Sequence, residues 1–144
     1  MSRIEIQLPE KFHFTTEIVV RVSDLNYGNH VGNDRILTLM QEARTLFYRS
    51  IGFESEVKLE GFIGQIVTDA MIVYKAESFL GDTFQIEIAV ANFNKYGFDF
   101  FYRISNKLSG REVAIGKTGI VGFDYLKHKI ASMPQRVLTK ITSR

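Results

Sequence analysis

The run Arg21-Val-Ser-Asp-Leu-Asn-Tyr-Gly-Asn-His-Val-Gly-Asn33 decides the fold, because it joins a strand to the longest helix in the chain. Before it, residues 14–23 read as a strand, with Ile18, Val20 and Val22 on one face and Glu17, Arg21 and Ser23 on the other. After it, residues 34–51 set Ile36, Leu39, Met40, Ala43, Leu46 and Phe47 at helical spacing, beside a polar stripe of Thr38, Gln41, Glu42, Thr45 and Arg49. Asn33 or Asp34 is the expected N-cap, and Gly52 the expected stop. Asp24, Asn26, His30 and Asn33 crowd into the loop between two hydrophobic elements, where polar side chains cost free energy unless paired or used. The helix N-terminus that follows offers unpaired N–H groups and a partial positive charge, suited to a developing oxyanion.

Beyond Gly61 the pattern turns to β-structure. Residues 62–75, 83–92, 98–106 and 112–125 carry β-branched and aromatic residues separated by turn signals. Phe84, Ile86, Ile88 and Val90 alternate with polar neighbours, as do Phe98, Phe100, Tyr102 and Ile104. The links Leu80-Gly-Asp82, Asn94-Lys-Tyr-Gly97 and Lys107-Leu-Ser-Gly110 are short, which makes successive strands antiparallel neighbours. Gly116, Gly119 and Gly122 interrupt the last strand and imply a bulge or a close approach by another group. Residues 1–12 read as a short arm, and Pro134 opens a terminal helix. One apolar helix followed by long antiparallel strands is buried most economically by a sheet curling around it, an α+β domain. The open sheet edges favour pairing of subunits.

At 144 residues the chain is expected to form a single domain, 1–144, able to bury about 70% of its unfolded surface. The 45% apolar share argues against disorder. With no cysteine, disulfides, zinc–thiolate sites and thiol nucleophiles are excluded. No apolar run approaches the roughly 18 residues of a membrane span, and no signal-peptide pattern opens the chain, so a cytoplasmic protein without a membrane partner is expected. A formal charge of +2 with scattered basic residues argues against a nucleic-acid partner. Lys107, Arg111, Lys117, Lys127 and Lys129 gather loosely in the C-terminal half, either as a solvated face or as a landing site for a phosphorylated ligand.

With its elements in this order, the chain resembles the hotdog-fold acyl-CoA thioesterases, in the 4-hydroxybenzoyl-CoA thioesterase-like branch, from about residue 14 to residue 134. The residues that carry the resemblance are Arg21-Val-Ser-Asp-Leu-Asn26, Tyr27-Gly-Asn-His-Val-Gly-Asn33, Glu42-Ala-Arg44, Tyr74-Lys-Ala-Glu-Ser-Phe-Leu-Gly-Asp82, Phe123-Asp-Tyr125 and Met133-Pro134. The resemblance implies a hotdog fold, with a long central helix wrapped by a curved antiparallel sheet. It implies hydrolysis of an acyl-CoA thioester to free acid and CoA, with no metal and no cofactor beyond the CoA of the substrate. It also implies a homodimer or homotetramer that binds CoA where subunits meet, and a backbone oxyanion donor near Asn33.

One departure matters: where family members place a catalytic Asp, this chain has Asn26. A carboxylate can attack a carbonyl or activate water, whereas an amide can only orient a reactant or donate a hydrogen bond. The site candidates are therefore Asn26, Asp24, His30 and Asn33, with Asp24 or His30 as proton acceptor and Glu42 or a neighbouring subunit in reserve. Each also has an ordinary use. Asp24 can close an Asx turn, His30 can bond a loop carbonyl, Asn33 can cap the helix, and Glu42 can pair elsewhere in the fold, since it does not meet Arg44. Phe98, Phe100, Phe101 and Tyr102 read as core, with lining of an acyl pocket as a second use. Two alternatives stay open: an acyl-CoA-binding hotdog protein without catalysis, and an enoyl-thioester hydratase or dehydratase.

Overall fold

The computed structural model describes residues 3–143. Its elements are β1 (Phe14–Val19), a 3-10 turn (Val22–Asp24), α1 (Asn33–Ser50), β2 (Ile63–Tyr74), β3 (Thr83–Ala91), β4 (Gly97–Asn106), β5 (Glu112–Asp124), β6 (Lys129–Ala131) and α2 (Gln135–Thr142). The strands form one antiparallel sheet in the order β1-β3-β4-β5-β2, and β6 adds to the end of β5.

The expected alternation places the core. Phe84, Ile86 and Ile88 of β3, Phe98, Phe100 and Ile104 of β4, and Ala114 and Ile120 of β5 are buried in one cluster with Ile36, Leu39, Met40, Ala43 and Phe47 of α1. Phe100 anchors this layer, with Phe47, Tyr48 and Phe98 each meeting it edge-on at centroid distances of 5.8, 5.7 and 5.1 Å. Each such buried ring contributes roughly 1.5–3 kcal/mol of transfer free energy, so the sheet is held around α1 mainly by hydrophobic contact. The sheet curved around one long helix is the α+β hotdog architecture that the resemblance implied.

The polar groups inside this core are matched across long sequence distances. Arg44 donates from Nε to Glu56 at 2.5 Å and from Nη1 to the Tyr102 hydroxyl at 3.0 Å, and Tyr102 is joined to Thr118 at 2.7 Å. Tyr48 donates to Gln65 at 2.6 Å. At its C-terminal end α1 is closed by Gly52, at φ 98°, and Lys140 of α2 donates to the Ile51 carbonyl at 3.3 Å.

Three local expectations are corrected. β1 ends at Val19 rather than at Ser23. The 3-10 turn then rotates the chain, so Val20 is buried while Val22 is 72% exposed. The N-cap is Gly32, not Asn33 or Asp34, and no side chain caps the helix. β6 is an additional short strand, formed where the turn after Asp124 folds Ile130 back onto Phe123. The glycines of β5 are close approaches. A Cβ at Gly116 would lie 2.6 Å from Met40 Cε, one at Gly119 2.7 Å from an Asp69 carboxylate oxygen, and one at Gly122 2.5 Å from the Ala131 carbonyl.

Candidate active site

The loop before α1 folds back on itself as a miniature hairpin. Leu25 and Val31 form an isolated bridge, Asn26 N–H donates to the His30 carbonyl at 2.9 Å, and Asn29 turns the chain at φ 63°. The Asn26 side-chain oxygen accepts the Gly28 N–H at 2.8 Å, the Asx turn expected of such a residue, although expected of Asp24. A Cβ at Gly28 would lie 3.0 Å from His30 Nε2 and 3.3 Å from Asn26 Oδ1, so the imidazole and the amide share one side of the loop. Tyr27, at its tip, is fully exposed.

Asp24 lies behind the loop, completely buried. Its carboxylate accepts the Arg21 N–H at 2.9 Å and Nε at 3.3 Å, and faces Arg35 at 3.6 Å. Its carbonyl accepts the Gly32 N–H at 3.0 Å, and the Val31 N–H goes to the Ser78 carbonyl at 2.9 Å. These bonds fix where α1 begins. Arg21 reaches on to Glu42 at 2.8 Å, which gives that glutamate its partner outside the helix.

Because Gly32 brings no capping side chain, the backbone N–H groups of Asn33 and Asp34 have no acceptor among the described residues. Asn33 lines a pocket of about 400 Å³ with Asn26, His30 and Val31 on one side and Tyr74, Lys75, Ala76 and Glu77 on the other. Three of the four candidates, Asn26, His30 and Asn33, thus meet at one cavity, while Asp24 is not on its wall. Tyr74, outside the candidate set, closes the far side: its hydroxyl donates to the Asn33 carbonyl at 2.8 Å. Burial and then the Asp34 carboxylate raise the Tyr74 phenol above its ordinary value, which keeps it protonated as a donor. Only the motif around Tyr74 hinted at its place, since the bond spans 41 residues.

Other candidates lie elsewhere. Phe98, Phe100, Phe101 and Tyr102 are buried and none lines the pocket. Two of the loosely gathered cations are paired with carboxylates: Lys107 with Glu17 at 2.7 Å, and Lys117 with Asp69 at 2.7 Å and Asp99 at 3.6 Å. Among the described residues no three His, Cys, Asp or Glu side chains gather closely enough to hold a metal ion. No described helix is long and apolar enough to cross a membrane.

Residues 20–141 match the family model of the thioesterase-like superfamily. The chain belongs to that superfamily. No curated protein matches it in sequence. Among solved structures, it is similar to the 1,4-dihydroxy-2-naphthoyl-CoA thioesterase of Synechocystis, at 24% identity and TM-score 0.81, covering 90% of this chain and 95% of that one. A gentisyl-coenzyme A thioesterase aligns at 19% identity and TM-score 0.79, over 89% and 99% of the two chains. A Staphylococcus aureus protein solved in complex with CoA aligns at 14% identity and TM-score 0.81, over 96% and 87%. At these identities the structures establish a shared hotdog fold.

Proposed function

We propose that this superfamily member hydrolyses an acyl-CoA thioester to the free acid and CoA at the pocket in front of α1. The observation that carries the reading is the backbone amide of Asn33, unpartnered among the described residues at the start of α1, on a cavity also lined by Asn26 and His30. Superfamily membership and the acyl-CoA thioesterase and CoA-complex neighbours support the same chemistry.

In this reading the thioester carbonyl accepts hydrogen bonds from the amides at the helix start, where the dipole favours the negative charge of the tetrahedral intermediate. Asn26 orients the attacking water, and His30 takes its proton as the C–O bond forms. Collapse of the intermediate breaks the C–S bond, and the imidazolium returns the proton to the departing CoA sulfur. Asp24 holds the loop and does not touch the reactants.

The proposal includes a cytoplasmic enzyme that acts as a homodimer or homotetramer. β2 ends the sheet, and the segment 56–60 covers only its first half, through bonds to Ile63 and Gln65. The second half runs through exposed Val67 and Met71, with one edge paired to no strand among the described residues, a surface that a second copy would cover by antiparallel pairing.

A panel of short, aromatic and long acyl-CoAs with a thiol reagent tests the enzyme, and absence of turnover above background across the panel overturns it. Asn26 also favours a second reading, an acyl-CoA-binding protein. Asn26→Asp separates the two: a gain of hydrolysis from an inactive parent supports the binder, and a loss of existing turnover gives the amide a catalytic task.

A further inference from the structure

Tyr74 is the last residue of β2 and faces the helix side of the sheet, paired with buried Ala114. Its ring is half exposed, yet it reaches across to the first residue of α1. That crossing closes one side of the pocket at Asn26 and His30. Beside Tyr74 on the helix side of the sheet, the space at Gly116 is filled. Met40, fully buried, has its Cε seated where Gly116 lacks a side chain. Met40 lies about 10 Å along the helix from Asn33. One turn further on stands the Arg44, Glu56, Tyr102 and Thr118 network, which an apolar chain would disrupt without replacing its hydrogen bonds.

We propose that the Tyr74 ring, tied to the Asn33 carbonyl, is the stop that limits this site to short or single-ring acyl groups, with Met40 on Gly116 closing the space behind it. The inference rests on the thioesterase reading and adds to it a substrate size and the residue that sets it. The cavity in front of Tyr74, about 400 Å³, is near the lower end for small-molecule sites, and it must also admit the thioester end of the pantetheine arm.

The test compares kcat/KM for butyryl-, benzoyl- and decanoyl-CoA in the parent, Tyr74→Ala and Tyr74→Phe. In parallel, calorimetry measures binding of the uncleavable thioethers S-butyl-CoA and S-decyl-CoA. The parent is expected to favour butyryl- or benzoyl- over decanoyl-CoA by about tenfold or more, and Tyr74→Ala to raise the decanoyl-to-butyryl ratio by about tenfold. Tyr74→Phe keeps the ring without its tether and raises the ratio less. Tyr74 is half exposed, so thermal unfolding of the variants should stay close to the parent. A parent that takes decanoyl- as readily as butyryl-CoA overturns the stop, as does a ratio unmoved by Tyr74→Ala. If no acyl-CoA is cleaved, the thioesterase reading fails while the two thioether affinities still decide the role of Tyr74.

Discussion

Replacing Asp24 separates a group that holds the site from one that takes part in the chemistry. Asp24→Asn keeps an oxygen for the Arg21 N–H, now bonded at 2.9 Å, and removes the charge facing Arg21 and Arg35. Those arginine side chains are 49% and 34% exposed and can turn to water. Each pair is then worth about 0.5 kcal/mol, and the substitution about 1 kcal/mol in all. Asp24→Ala also strips the Arg21 N–H of its acceptor and leaves a small void, which brings the expected cost to about 2–3 kcal/mol. Urea unfolding at one fixed protein concentration measures both values. Turnover of the best acyl-CoA is the second readout. Loss of a general base lowers turnover by about 10²–10⁴-fold, whereas Asp24→Asn is expected to keep kcat within about tenfold, because the carboxylate is not on the pocket wall. An Asp24→Asn variant with parental stability and a hundredfold lower kcat would refute this reasoning and return Asp24 to the chemistry.

Arg44→Met is expected to cost about 2–3 kcal/mol in the same unfolding assay, because it strands the Glu56 carboxylate, and adding Glu56→Gln should recover part of it; a double variant no more stable than the single one contradicts the pairing. His13 is held below its ordinary pKa by burial and then by Lys11, and its Nδ1 accepts the Val90 N–H at 3.2 Å, which requires that nitrogen unprotonated. The unfolded chain therefore binds this proton more readily than the native one. The contribution of His13 is present above about pH 6.5 and is lost as pH falls through the lower native value. His13→Gln should flatten the fall in Tm between pH 7.5 and 5, and a slope identical to the parent counts against it.

What could be read from sequence was what local pattern controls. The 3.6 period of Ile36 to Phe47 and the alternation of Phe84 to Val90 each select their own buried face, and the short turns between the later strands fix their antiparallel order. Asn26, His30 and Asn33 were legible together because one loop carries them. What escaped depends on partners far along the chain. Tyr74 meets Asn33 across 41 residues and Arg44 meets Tyr102 across 58, so no window around either one contains its mate. The exposure of Val22 was hidden for a different reason: a single 3-10 turn reverses the alternation that the strand before it had set up. At Gly32, which takes the cap position, a Cβ would lie 2.6 Å from an Asp34 carboxylate oxygen, which would have to move aside.

The two extremities of α1 are treated unequally. At the carboxyl extremity, Arg49 lies in the last turn and the ammonium of Lys140 arrives from the final helix, so that pole is neutralised from within. The amino extremity has an acidic residue, Asp34, in its first turn but no internal cap. The rod is thus satisfied at one pole and left receptive at the other. Replacing Lys140 would expose the distant pole and loosen the seat of the helix there.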